Sequence, residues 1–316
     1  EWAGSPHLPV ALARAKDLGC YRGYVDEPHR AAGKRSMNQQ ILITAVQLGE
    51  LIGQGRCVVV DCRFDLVETK KGRIAWLEGH IPGAGYADLD SDLSSPIGPD
   101  TGRHPLPETE KFAGFLASLG WTEDKLLVAY DEGSNAIAVR LWWLMRYYGK
   151  KAALLDGGLA AWRASGYDLE SDAPGLSPGP VPRLEANNDM VINTGRQLLS
   201  EQGALVLDAR ASERFSGAVE PLDSKAGHIP GSINRPFASN VLINGRFRDP
   251  AELKRELHEQ LGDTKPENVV HSCGSGVTAC HNQFAMELAG MPGSRVYAGS
   301  WSEWIRDPGR PIATGK

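Results

Sequence analysis

NVVHSCGSGVTACHNQFAMELAG, residues 268–290, runs from a β-branched stretch through a small-residue loop into a helical pattern. NVVHS (268–272) reads as a buried strand, and GVTACHNQFAMELAG (276–290) as a helix that ends at Gly290, before Pro292. ALVLD (204–208) and SRVYA (294–298) read as further strands and PAELKRELHEQL (250–261) as another helix. Strands alternating with helices predict an α/β fold with a mainly parallel sheet. Function in such sheets sits beyond the strand C-termini. Cys273 stands at that point, directly after its strand.

The same unit occurs twice. CVVVDCR (57–63) is echoed by ALVLDAR (204–210), and GHIPGA (79–84) by GHIPGS (227–232). LLVAYDEGS (126–134) matches NVVHSCGS (268–275), which aligns Asp131 with Cys273, and DGGLAAW (156–162) matches AGSWSEW (298–304). Asp131 precedes Trp162 by 31 positions, and Cys273 precedes Trp304 by the same 31. Four ordered matches mark a tandem repeat. APGLSPGPVP (173–182), with four prolines in ten residues, admits neither a regular helix nor a central strand. The expected organisation is therefore an N-terminal extension over 1–36, a first repeat over 37–168, a Pro-rich linker over 169–188 and a second repeat over 189–316. The extension has little periodicity, its LPVALA is too short for a secretory core, and Met37 resembles a natural start.

Composition excludes several classes of function. The chain has 316 residues, 41% hydrophobic and 23% charged, with a net charge of -5 and no block of like charges. That argues against a nucleic-acid or anionic-membrane partner, and no apolar run approaches the ~18 residues of a membrane span. Five cysteines (Cys20, Cys57, Cys62, Cys273 and Cys280) form no CxxC or paired Cys/His spacing. A disulfide framework or structural zinc site is not expected, and reduced thiols in a cytoplasm fit best.

The loop CGSGVTA (273–279) has the chemistry of an anion cradle. Gly274 and Gly276 let the backbone wrap tightly, Ser275 and Thr278 add hydroxyls, and the following helix points unpaired N–H groups and its positive dipole end at the loop. A sulfur there is favoured as thiolate, the nucleophilic form. A cysteine that only filled space after a strand would need none of this.

These residues give the chain its resemblance. CGSGVTA, the two GHIPGA/S segments, DGG…W and AGSWSEW are similar to those of two-domain rhodanese-like sulfurtransferases, particularly the 3-mercaptopyruvate sulfurtransferase type, over nearly all of residues 40–314. The resemblance implies tandem rhodanese-like domains, the first degenerate and the second catalytic, with the site in the crevice between them. It implies that Cys273 takes the outer sulfur of 3-mercaptopyruvate or thiosulfate as a persulfide and passes it to cyanide or a thiol, thioredoxin among them. No cofactor or metal is needed. Ser275 joins Cys273 as a catalytic residue. Arg214, in DARASERFSG, matches the donor-binding arginine, and Gly274, Gly276, Val277 and Thr278 complete the substrate loop. His80, in the first GHIPGA, takes the place of a relay histidine to Ser275, although His228 occupies the equivalent position in the second repeat, which favours a structural role for both. Asp131 cannot form a persulfide, so the first repeat is read as a wall of the cleft.

The chain departs from the family at one point. Mercaptopyruvate enzymes carry a second donor arginine after an EP pair, whereas EPLDSKAGH (220–228) has Leu222 and Asp223 there. Thiosulfate enzymes place a basic residue two positions after the cysteine, where this chain has Ser275. The loop favours 3-mercaptopyruvate as donor, and the arginine segment leaves thiosulfate as the alternative. A related cysteine-loop phosphatase would need an arginine six positions after the cysteine; Ala279 stands there. A non-catalytic binding module of the same fold is the remaining rival.

Overall fold

The computed structural model describes residues 40–315. The expectation for residues 1–36 therefore lies outside the described residues. Two five-stranded parallel sheets make up the described chain. The first contains β1 (Leu42–Ile43), β2 (Cys57–Asp61), β3 (Gly85–Tyr86), β4 (Leu126–Tyr130) and β5 (Ala152–Leu155), in the order β1-β5-β4-β2-β3. The second contains β6 (Val191–Ile192), β7 (Leu205–Asp208), β8 (Ile233–Asn234), β9 (Val269–Ser272) and β10 (Arg295–Tyr297), in the matching order β6-β10-β9-β7-β8. Helices α1 (Ala45–Gly53), α2 (Lys71–Glu78), α3 (Thr109–Ser118), α4 (Ala138–Tyr147) and α5 (Gly158–Ala164) flank the first sheet; α6 (Gly195–Ser200), α7 (Ser212–Ser216), α8 (Pro250–Leu261), α9 (Ala279–Leu288) and α10 (Ser300–Trp304) flank the second. The central strands β4, β5 and β9 are buried almost throughout and mostly apolar, as helix-covered parallel sheets require, with His271 and Ser272 the buried polar end of β9.

α8 spans the predicted residues because Asp249 caps its first turn, accepting from the N–H of Ala251 at 2.8 Å, with Pro250 at the first helical position. α9 starts three residues later than its periodicity suggests. Gly276 has φ +79°, and a Cβ there would lie 2.3 Å from the Ala298 carbonyl oxygen, so residues 276–278 stay in the loop.

The repeats meet through α4 and α9. Trp142 packs edge-to-face on Phe284 at 4.7 Å, and Arg146 pairs with Glu287 at 3.2 Å at the rim. α4 is covered by its own sheet and by the other repeat, which accounts for nine buried residues among its ten. Trp142, Trp143, Trp301 and Trp304 all lie in the core.

Three histidines in these interior layers are held neutral by burial. His104 and His271 are pushed down to about 3 and His281 to about 4. Their folded values lie below the unfolded one, so the unfolded chain binds more protons, and stability is lost as pH falls below about 6.5. Each contributes a loss of up to ~1.4 kcal/mol per pH unit until its folded value is reached. Denaturant midpoints at pH 7 and pH 5 are expected to differ sharply. A flat profile would mean that these rings protonate in place.

Candidate active site

β9 delivers Cys273 to the C-terminal edge of the second sheet, where the loop 273–278 turns the chain into α9. Three backbone contacts fix the loop. The Trp301 N–H donates to the Cys273 carbonyl at 3.0 Å, the Ser302 N–H to the Gly274 carbonyl at 2.9 Å, and the Cys273 N–H donates to Ser300 Oγ at 3.1 Å. Ser300 is fully buried with φ +50°, a conformation that strains a non-glycine residue, and its hydroxyl donates in turn to the Tyr297 carbonyl. Within the loop the Gly276 N–H donates to Cys273 Sγ at 3.1 Å. Val277 is buried, and Thr278 caps α9 without a side-chain bond to the helix.

The other described cysteines have no such surroundings. Burial pushes the Cys57 thiol up to about 11 and that of Cys280 to about 12, and pushes Cys62 well up from its ordinary value. Each is therefore a protonated thiol near neutral pH.

Three side chains from the first repeat complete the site, none of them among the residues expected from sequence. His104 Nδ1 lies 2.7 Å from Ser275 Oγ, and its Nε2 lies 3.3 Å from Asp90. Burial and the nearby charges of Arg140 and Arg103 hold this imidazole neutral. Arg140 is fully buried and has no carboxylate partner among the described residues. It donates to the carbonyls of Gly276 (2.9 Å), His104 (3.1 Å) and Leu93 (3.4 Å), tying the cysteine loop to the His104 segment. Arg103 reaches over the loop, its Nη2 2.9 Å from where a Cβ on Gly274 would stand.

The structure does not bring His80 to Ser275; His104 stands there instead. His80 Nδ1 bonds to the Trp76 carbonyl at 2.8 Å, and its backbone pairs with Glu170 in the segment that leaves the first repeat. His228 repeats the arrangement, with Nδ1 on the Phe215 carbonyl and its backbone on Ala313. Both histidines pin the chain that follows the last helix of their repeat, which is why GHIPG occurs twice. Arg63 and Arg210 are likewise a structural pair: each forks onto the aspartate two residues earlier and donates to the carbonyl of the glycine preceding its histidine.

Arg214 does lie over the cysteine loop, with its two terminal nitrogens 3.5 and 3.6 Å from the same Gly274 point. Glu220 holds it, accepting from Nε at 3.2 Å and from Nη2 at 2.7 Å. Asp223, one of the two residues found where the family has its second arginine, pairs with both Arg103 and Arg214. Cys273 is only 2% exposed beneath this roof.

In the first repeat the equivalent cradle is filled by its own side chain. The Asp131 carboxylate accepts from the N–H groups of Gly133 (3.1 Å), Asn135 (2.8 Å), Ile137 (3.0 Å) and Ala138 (3.4 Å). Burial pushes this carboxyl up while those four donors pull it down. The backbone pins recur as well: Leu159 N–H to the Asp131 carbonyl and Ala160 N–H to that of Glu132 match the Trp301 and Ser302 bonds. The Asp131 carboxyl thus fills from within a cradle that the second repeat leaves to a sulfur.

A nucleophile loop between a parallel strand and a helix, roofed by a second copy of the same domain, defines a tandem α/β transferase architecture. The family model of the Rhodanese-like domain matches residues 44–165 and 193–307, and the chain belongs to the rhodanese family. It is 45% identical over 284 residues to a Pseudomonas aeruginosa protein provisionally named 3-mercaptopyruvate sulfurtransferase, covering 88% of this chain and 100% of that protein. It is 37% identical over 282 residues to a Mycobacterium tuberculosis protein provisionally named thiosulfate sulfurtransferase SseB, covering 87% of this chain and 98% of that one. Among solved structures it is similar to the 3-mercaptopyruvate sulfurtransferase SseA of Escherichia coli, with TM-score 0.72 and 33% identity over 83% of this chain and 99% of that one.

Proposed function

We propose that the protein is a sulfurtransferase that moves sulfur from 3-mercaptopyruvate to a thiol or cyanide acceptor through a persulfide on Cys273. The observation that carries this reading is the chain Ser275–His104–Asp90 beside the cysteine loop. With Asp90 next to Nε2, the ring hydrogen belongs on Nε2, and Nδ1 accepts the Ser275 hydroxyl hydrogen. Ser275 Oγ is then free to accept the S–H hydrogen of a thiol donor and to orient its sulfur for attack. In the transfer step a bond forms between Cys273 Sγ and the donor sulfur while the donor's S–CH2 bond breaks. Its electron pair enters the adjacent keto group as the enolate of pyruvate, which takes on carbon the proton that the donor's S–H gives up, leaving the persulfide ionised. Arg214 and Arg103 supply the cationic seat for the donor carboxylate. The acceptor then attacks the outer sulfur of the persulfide and restores Cys273, a ping-pong cycle. A thiol partner of the thioredoxin kind meets the requirement of that second step.

The alternative donor is thiosulfate, whose outer sulfur carries no hydrogen for Ser275 to accept. Turnover with the two donors in parallel, cyanide as acceptor, is expected to favour 3-mercaptopyruvate by about tenfold or more in kcat/KM. Ser275→Ala is expected to lower kcat/KM for 3-mercaptopyruvate by ~10²-fold and to spare thiosulfate. Preference for thiosulfate, or an equal loss with both donors, would overturn this reading.

A further inference from the structure

α7 ends at Gly217, and the chain then loops through GAVEPLDSKAG (217–227) before reaching His228. The loop's two carboxylates both face the donor arginines, in different ways. Glu220 is a fixed support: it takes Nε and Nη2 of Arg214 and also accepts from the N–H groups of Leu222 (3.0 Å) and Asp223 (3.1 Å). Asp223 bridges the repeats. One of its oxygens is on Arg103 Nη1, from the first repeat, and the other is 3.1 Å from Arg214 Nη2, in the second. Its side chain is 4% exposed, against 26% for Arg103 and 18% for Arg214, so the carboxylate lies inside the pair of guanidiniums. A two-point carboxylate contact of this kind is what a keto-acid donor would make with the same nitrogens.

We propose that Asp223 is a built-in competitor: its carboxylate occupies the donor-carboxylate seat between Arg103 and Arg214, and a donor binds by displacing it. The inference rests on the donor site assigned above and adds a gate to it. With Asp223 in place, two arginines face two carboxylates, and the seat has no net charge. With Asp223 swung out, Glu220 remains and the seat carries one net positive charge, matched to a monoanionic carboxylate and poorly to a dianion. The resting enzyme therefore shields its thiol from adventitious anions and oxidants. It does so at the expense of affinity, because apparent binding is reduced by the fraction of molecules in which the latch is open. Asp223 sits on a stretch, 217–227, that forms turns and bends without helix or strand, and Glu220 anchors its middle.

The test uses an unreactive ligand, so that it does not depend on turnover. In full-length protein carrying Cys273→Ser, pyruvate binding is measured by isothermal titration calorimetry with Asp223 present and with Asp223→Asn, sulfate serving as the dianion probe. Removing the competing charge is expected to tighten pyruvate binding by roughly fivefold or more, and Asp223→Ser, which removes the carboxylate by a different shape, is expected to shift it the same way. Unchanged or weaker pyruvate binding in both variants, or no saturable binding in any of the proteins, overturns the proposal. A sulfate gain larger than the pyruvate gain also overturns the monoanion match. If 3-mercaptopyruvate is not turned over but pyruvate binds more tightly in the variants, the donor assignment fails while the latch stands.

Discussion

Cys273→Ser is expected to abolish sulfur transfer, with kcat falling by about 10⁴-fold or more for any donor, as removal of a covalent nucleophile does. A hydroxyl is a poor nucleophile towards sulfur and cannot form the persulfide. No other described thiol can substitute: Cys280 is held protonated at about 12, and Cys57, in β2, and Cys62, directly after it, are also raised by burial. The exchange of one atom leaves the loop's fixing bonds in place, because Ser300, Trp301 and Ser302 contact the backbone and not the sulfur. The variant should therefore fold with the parental denaturant midpoint. Rate assays with 3-mercaptopyruvate and with thiosulfate check the loss, and residual turnover above a hundredth of the parent's would contradict the covalent route.

Arg140→Met is the second large effect expected. Methionine fills much of the volume but donates nothing, so three buried carbonyls lose a donor, at about 1–3 kcal/mol for each left unsatisfied. Relief from holding a desolvated charge offsets part of this, leaving a net loss of about 2–4 kcal/mol. Activity should fall further than stability, by ~10²-fold in kcat, because Arg140 sets the distance between the Gly276 carbonyl and the His104 segment, and misplacements near 1 Å are that costly. A filler would not affect the imidazole. Arg140 does, since its charge helps hold His104 down, so the acid limb of the pH–rate profile should move to higher pH in the variant. Parental kcat together with an unmoved acid limb would reduce Arg140 to packing.

The fold was legible because the sequence states it twice. The VVVD/LVLD and GHIPG pairs, the cysteine loop and the two tryptophan segments each map to the same structural position in the two sheets, and α8 lies between sharp start and stop signals. The boundary furthest misplaced by periodicity is the start of α9, where a backbone contact from Ala298, distant in sequence, overrides the local pattern; its end, at Leu288, and the strand ends differ by one or two residues. The position of Cys273 was legible for the same reason, since it sits where strand, glycine and helix converge.

The Ser275–His104 contact was not, because it forms only where the two repeats meet. GHIPGA drew attention to His80 by likeness, but a histidine present in both copies performs what both copies need, which is to anchor the returning chain. The informative comparison is TGRHPLP (101–107) with NGRFRDP (244–250): it aligns Arg103 with Arg246 and His104 with Phe247. Each segment enters the other repeat's loop. His104 meets Ser275, whereas Gly245 and Phe247 close on the Gly133 and Asp156 region of the aspartate cradle. A histidine in one copy stands opposite a phenylalanine in the other, an asymmetry that fits the proposed role of His104 beside Ser275. Arg140 has Asn282 as its counterpart and was hidden in the same way, inside a helix that reads as core.

The central claim is that sulfur rests covalently on Cys273 between two half-reactions. Intact and peptide mass spectrometry after a single addition of 3-mercaptopyruvate, with no acceptor present, tests it most directly. The account predicts a gain of one sulfur atom per chain, located on the Cys273 peptide, released by cyanide and matched by one equivalent of pyruvate. Pyruvate release without a mass gain, or sulfur found on Cys57, Cys62 or Cys280 instead, would contradict it.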